Sequence, residues 1–442
     1  MAPLSRRFLA CFLFLFLARP CLASEQPASP LTLTAAVDMA LRNSDIIKES
    51  VENLLAGKEN LRSVRADFLP KFSTSYSYAR LLNNPYGIFN STKVLVGAKD
   101  NYAWDLTARE PLFTGFALSA RKRMAELGVN IEEMVREQAV LEVRKEAKLA
   151  YYDILLRQKF LQVADEAVTQ LTAHTKNAAQ FYDQGLIPYN DLLKSKVALA
   201  DAQQGELRAQ SDKDMAVSRF NVLLKLPVNK PTEVAEVKPA PGPLPELDPL
   251  QAEALANRPD LKGLNLAWKR AGQAVRLARS AYYPQVDLVG SYERQGENPT
   301  TTVNNYSNVD NASLGVTATW TFFEWGKKRA EVHRQEHQQE ALSAQIDQLR
   351  DAISLEVKDD WLRLRVAATN IETARDSLGQ AKENFRITRL QYQQGIATST
   401  DVLDAQTQLT GAEANYYTAL YGYLASTAEL DRAVARQQGE KK

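Results

Sequence analysis

Two stretches of nearly seventy residues carry an unbroken helical pattern, one from about Gly115 to Gln184 and one from about Gly326 to Gln394, and each stops at a glycine, Gly185 or Gly395. At 1.5 Å per residue each would be a rod on the order of 100 Å long. Few globular cores contain such a rod. In the second stretch Val357, Leu364, Ile371, Leu378, Phe385 and Tyr392 recur every seven residues, with Ala367, Ala374, Ala381 and Thr388 three positions after the members from Leu364 onward. Ala147, Ile154, Leu161, Val168, Thr175 and Tyr182 keep the same register in the first. A sustained 3.5-residue period implies left-handed coiled-coil packing. Each glycine closes one helix in the left-handed conformation, and a return helix follows it.

The rods belong to an internal repeat. Ala254-Leu255 and Asn257 echo Ala40-Leu41 and Asn43, and Arg279, Pro284 and Tyr292 echo Arg65, Pro70 and Tyr78. The first repeat spans 24–226: a helix from Leu31 to about Phe68 with Thr32 or Thr34 as its cap, a strand hairpin at about 71–113, and a helical hairpin at about 115–226. Seven prolines from Pro227 to Pro249 mark an extended link over 227–249. The second repeat, 250–436, has its strand hairpin at about 284–323 and its helical hairpin at about 325–436; a polar tail, 437–442, follows. Period-two alternation marks the strands. Phe72, Tyr76 and Tyr78 share one face, as do Tyr102, Trp104 and Leu106, then Val286, Leu288 and Tyr292, and then Leu314, Val316, Trp320 and Phe322. Residues 83–100, rich in Asn, Gly and Ser, read as a loop.

Arg6, Arg7, the apolar run Phe8 to Ala18 and the small residues ending at Ala23 form a secretory signal, 1–23. Arg19-Pro20 before Cys21 disfavours lipidation. Both cysteines leave with that segment, which excludes disulfides, thiolate metal ligands and a cysteine nucleophile from the exported chain. It also removes three Arg, leaving 51 basic against 53 acidic side chains, a balance that gives nucleic acid nothing to bind. No later stretch offers the roughly 18 consecutive apolar residues of a membrane helix. If an exported chain of this kind meets a membrane, it does so through strands. Four strands of about ten residues have the length and alternation to cross an outer membrane, yet roughly eight is the practical minimum for a closed barrel. Open edges are not tolerated in lipid, so several copies must share one barrel.

Two strand-hairpin plus long-helical-hairpin repeats, the proline-rich link and tips of the form Gly-x-x-x-x-x-Asp-(Leu/Val)-Leu resemble the outer-membrane factor family typified by TolC, over essentially the whole exported chain. The resemblance implies an α+β membrane protein. In it, four strands from each of three protomers close a twelve-stranded barrel, and the antiparallel coiled coils form an α-barrel in the periplasm of a Gram-negative cell. It further implies a passive outer-membrane channel for tripartite efflux or type I secretion, not an enzyme and without cofactor, docked on a periplasmic adaptor and an inner-membrane pump. A periplasmic coiled-coil scaffold or adaptor without a barrel is the alternative.

The resemblance assigns roles at the tips. Asp401 and Asp404 match the family's gate motif of acidic rings. Independently, Val402, Leu409, Tyr416, Tyr423 and Leu430, with Ala405, Ala412, Ala419, Ser426 and Ala433, define the packed seam of the last helix. Asp401 and Asp404 fall off that seam in a polar column with Gln408, Gly411 and Asn415. Rings of such carboxylates select for cations and repel one another, which raises their pKa. Both residues also sit at a helix N-terminus, where the macrodipole alone favours carboxylates. Tyr392 and Asp191 align with a tyrosine and an aspartate that latch neighbouring coils, although Tyr392 is equally a heptad packing position. The companion arginine position is Ala397, so the latch is weaker or built differently. Gly185, Leu186, Ile187 and Pro188 in one tip and Gly395, Ile396, Ala397 and Thr398 in the other are the adaptor-docking positions. One competing pattern, His333-Arg334-Gln335-Glu336-His337, fits the H-x-x-E-H signature of certain zinc peptidases, but lies on a charged, Gln-rich rod.

Overall fold

A computed structural model describes residues 30–239 and 241–436; the signal segment and the polar tail lie outside them. The chain runs α1 (Leu33–Asn43), α2 (Asp45–Ala66), β1 (Lys71–Arg80), β2 (Tyr86–Phe89), β3 (Thr92–Leu95), β4 (Asp100–Phe113), α3 (Ala117–Asp183) and α4 (Tyr189–Leu223). It then repeats as α5 (Leu247–Asn257), α6 (Pro259–Ser280), β5 (Gln285–Gly296), β6 (Asp310–Thr319), α7 (Lys327–Gln393) and α8 (Ser399–Ala433). Corresponding helices have identical lengths in the two repeats: 11, 22, 67 and 35 residues.

The first helix of each repeat is broken where one continuous helix is expected. Ser44 leaves helical geometry (φ −62°, ψ 125°) so that its hydroxyl accepts from Ile47 N and caps α2. Arg258 makes the same break (φ −58°, ψ 124°) because Pro259 follows it and disfavours α geometry one residue back. The expected loop 83–100 contains a small hairpin, β2 against β3, built on the Tyr86-to-Phe89 and Thr92-to-Leu95 alternation. Trp320 and Phe322 lie beyond the last strand rather than in it: β5 begins at Gln285, which pairs with Thr319, so no partner backbone remains past that point.

The main sheet has the order β1-β4-β5-β6, all antiparallel. Its register pairs Tyr76 with Trp104, Leu106 with Tyr292 and Leu288 with Val316, so the apolar positions of all four strands share one face. That face is bare: Phe72 is 74% and Leu314 77% exposed. The other face carries serines, threonines and charges, with Ser75 bonded to Asp105 and Ser291 to Ser313. No helix among the described residues is long and apolar enough to cross a membrane.

Each long helix is flanked at its tip half by the return helix and at its sheet half by the shorter ones: α3 meets α4, α1, α2 and α6, while α7 meets α8, α5 and α6. One core gathers Tyr151, Phe220, Leu224 and Ala36, and the Tyr151 hydroxyl donates to the carbonyls of Leu31 (2.8 Å) and Ala235 (2.6 Å), fastening the link to the rods. A second forms from Leu250, Ile353, Val357 and Leu430. Between them runs a chain of ion pairs through four elements. Buried Arg258 bonds Asp260 (2.6 Å) and Glu356, Glu356 bonds Arg432, and Arg432 reaches Glu142 (3.1 Å).

Candidate gate at the helical tips

Both tips are closed by the same backbone device. Gly185 (φ 74°) donates to Tyr182 O and Leu186 N to Phe181 O; Gly395 (φ 75°) donates to Tyr392 O and Ile396 N to Gln391 O. These paired bonds satisfy the last carbonyls of α3 and α7, and the left-handed glycine is what permits them. Leu186 and Ile396 are left 66% and 70% exposed. Pro188 and Thr398 are exposed too, whereas Ile187 and Ala397 are half-buried and Ala397 packs against the core of its own tip.

The starts of α4 and α8 differ. Thr398 caps α8: its hydroxyl accepts from Asp401 N (3.2 Å), and Asp401 Oδ2 accepts from Thr398 N (2.8 Å) and from the Thr398 hydroxyl (2.7 Å). This reciprocal box holds the Asp401 carboxyl below the usual carboxylate range through the Thr398 side-chain and backbone bonds, the opposite of what ring repulsion alone would do. In the first tip Pro188 stands where Thr398 stands and gives no side-chain cap. Asp191, the counterpart of Asp401, bonds Lys194 at 3.6 Å, and Lys194 in turn donates to the Thr400 hydroxyl (3.3 Å), tying α4 to α8.

Asp404 is exposed and has no ion-pair partner among the described residues. Gln408, Gly411 and Asn415 are also exposed, while Val402, Ala405, Leu409 and Ala412 are buried. The polar column and the packed seam are therefore separate faces of α8.

Tyr392 turns into the seam. It is 2% exposed, its ring 4.8 Å from that of His174 and 5.4 Å from that of Phe181. No hydrogen bond of normal geometry reaches its hydroxyl, although burial, first, and the nearby Asp191 charge, second, hold the phenol above its ordinary pKa. The Asp191 charge is therefore felt at Tyr392, but among the described residues no hydrogen bond joins the two side chains.

Beside them lies a polar cluster that sequence reading did not single out. His174 Nε2 meets the Ser399 hydroxyl at 2.9 Å, which meets the Ser195 hydroxyl at 2.9 Å, which donates to Asp191 O at 3.0 Å. All three side chains are buried, and they join α3, α4 and α8. Burial lowers the His174 pKa to about 4, so the imidazole is neutral at pH 7. The available signal was a polar residue in the seam: Ser195 occupies the position that Ala405 holds in the second repeat. Next to this cluster, Gln170, Tyr392 and Gln406 line a cavity of about 90 Å³.

Elsewhere, Glu336 of the H-x-x-E-H pattern accepts from Arg279 (2.7 Å) and approaches His333 Nδ1 (3.0 Å), so an arginine occupies the carboxylate that such a motif would use. No metal-binding group of three or more His, Cys, Asp or Glu exists among the described residues.

A sheet with one bare apolar face, continuous with long coiled coils that end in tips bearing a polar column, defines the protomer of a strand-anchored channel. The chain belongs to the outer membrane efflux protein family, whose sequence profile matches residues 36–224 and 250–436. It is 23% identical over 420 residues to the alkaline protease secretion protein AprF of Pseudomonas aeruginosa, covering 92% of this chain and 85% of that one. It is 20% identical over 418 residues to the outer membrane efflux protein BepC of Brucella suis, covering 94% and 88%. Among solved structures, the fold matches the Campylobacter jejuni CmeC outer membrane channel with a TM-score of 0.80 at 17% identity (91% and 85% covered) and Vibrio cholerae VceC with 0.78 at 16% (91% and 96%). The chain is an outer-membrane channel protein with a large periplasmic part, and the scaffold without a barrel is set aside.

Proposed function

We propose that three copies of this chain form one continuous duct, passive in itself, through which cargo delivered by an inner-membrane pump and a periplasmic adaptor leaves the cell. The lone four-stranded sheet supports the oligomer: β1 and β6 are its open edges, and in lipid such edges are satisfied only by closure with further copies. Three sheets of this size close a barrel of twelve strands. The relatives include both a protease secretion protein and an efflux protein, so the pump rather than the duct sets the cargo class.

The observation that carries the gate is the exposed column Asp404, Gln408, Gly411, Asn415 facing away from the buried seam of α8. Repeated around an axis, Asp401 and Asp404 form acidic rings at the periplasmic mouth that favour cations. Tyr392, packed in the seam against His174 and Phe181, and Asp191, joined through Lys194 to Thr400, brace the tip from within by separate contacts, and the exposed Leu186, Pro188, Ile396 and Thr398, beside Gly185 and Gly395, present the adaptor with apolar contact; Ile187 and Ala397 shape the turn behind them. In planar bilayers the Asp401→Ala, Asp404→Ala double variant is expected to lose cation selectivity and block by multivalent cations. Selectivity equal to wild type would defeat the gate assignment.

A further inference from the structure

Below the sheet, the end of α6 lies between the starts of α3 and α7 and borders two adjoining grooves. One, about 430 Å³, is lined by Arg279, Tyr282, Tyr283, Arg329 and His333. The other, about 450 Å³, is lined by Phe116, Arg123, Arg276, Arg279 and Tyr283. Tyr283 lines both, and it and Phe116 connect them to the foot of the bare apolar face. Phe113, paired with Val286 on that face, meets the rings of Phe116 (5.6 Å) and Tyr283 (6.3 Å) edge to face. Trp320 donates its indole N–H to Tyr282 O at 3.1 Å. Phe322, Phe323 and Trp325 are exposed beside it, Trp325 at 90%.

The charge at this level is one-sided. Arg121-Lys122-Arg123 and Lys327-Lys328-Arg329 open the two long helices, neither of which has an acidic residue in its first turn. Cations beside the positive end of a helix macrodipole are unfavourable there. Carboxylates answer part of the set: Glu126 takes Arg123 (2.9 Å), Glu324 takes Lys327 (3.7 Å) and Glu336 takes Arg279 (2.7 Å). Among the described residues Arg121, Arg276 and Arg329 reach no carboxylate; Arg276 contacts only Gln273 (3.5 Å) and Arg329 only His333 (3.3 Å).

We propose that this collar binds the headgroups of acidic phospholipids in the periplasm-facing leaflet, with phosphate held by Arg276, Arg279 and Arg329 and acyl chains lying along the aromatic hem. The proposal rests on the sheet crossing the outer membrane. Guanidinium matches phosphate oxygens in pairs, and exposed aromatic rings belong at the boundary between headgroup and hydrocarbon. Lipid rather than free phosphate is the occupant because the groove-lining rings of Phe116 and Tyr283 pack against Phe113 of the apolar face, a surface that only a chain-bearing phosphate covers.

The test uses the full-length protein extracted from outer membranes, stripped of lipid in detergent and offered equal phosphatidylglycerol and phosphatidylethanolamine, with bound lipid read by native mass spectrometry. Wild type is expected to retain the acidic lipid in preference by roughly fivefold per basic residue engaged, on the order of a hundredfold if all three arginines act. Arg276→Gln/Arg279→Gln/Arg329→Gln should lose that preference, and Arg276→Lys/Arg279→Lys/Arg329→Lys should keep most of it. Equal retention of the two lipids by wild type, an undiminished preference in the Gln variant, or complete displacement by millimolar inorganic phosphate would overturn the proposal. Absence of the wild-type chain from outer-membrane fractions, scored first, would instead overturn the reading on which it rests.

Discussion

At the scale of single residues, the two tip aspartates that look alike in sequence have different work. Asp401 spends its carboxylate on the Thr398 cap, while Asp404 is free on the column. Asp404→Ala alone should therefore change ion selectivity more than Asp401→Ala, as bilayer reversal potentials would register. Thr398→Ala should destabilise the start of α8 by about 1 kcal/mol and return Asp401 toward the ordinary carboxylate range, which NMR or hydrogen exchange at the tip would show. His174 supplies the pH dependence. Its folded pKa of about 4 lies below the ordinary imidazole value of 6.5, so between those values the unfolded chain binds the proton and the folded chain does not. Tip stability should thus be full above pH 6.5 and fall as pH drops toward 4, by at most about 1.4 kcal/mol per pH unit from this residue. Thermal melts across that range should show the slope in wild type and lose it in His174→Asn. A histidine is visible in any sequence; that it lies neutral against Ser399 of another helix, itself bonded to Ser195 of a third, is a long-range fact with no local signature.

At the scale of elements, what was legible followed from periodicity. The heptads of α7 and the alternation of four strands rest on residue spacing alone, as does the closure of each tip by glycine, and the observed elements follow these patterns. What was not legible depended on partners. The breaks at Ser44 and Arg258 interrupt a helical pattern that continues on either side, and the β2–β3 hairpin is too short for alternation to stand out from its loop. The ion-pair chain could not be read at all, because Arg258, Glu356, Arg432 and Glu142 come from distant parts of the sequence. Arg258 is buried between two carboxylates, so Arg258→Ala should destabilise the junction of α6, α7 and α8 by about 3 kcal/mol, measured as a lowered denaturation midpoint.

At the scale of the whole molecule, the two faces of the sheet make opposite demands. Leu314 lies on the bare apolar face and Ser313 on the polar one. Leu314→Arg should cost about 2–4 kcal/mol if it sits near mid-membrane, and block formation of the heat-modifiable oligomer on gels, whereas Ser313→Arg should assemble and alter conductance. The neighbours of each 67-residue helix, with 35, 22 and 11 residues, nearly add up to its own length, and they do so identically in both repeats. The molecule is in that sense a pair of calipers whose jaws must stay level. A heptad removed from one arm alone would leave the two tips at different heights. The same deletion made in both α3/α4 and α7/α8 would keep them level and draw the mouth about 10 Å nearer the membrane. Changes in reach across the periplasm are therefore open to this chain only as matched edits in all four rods.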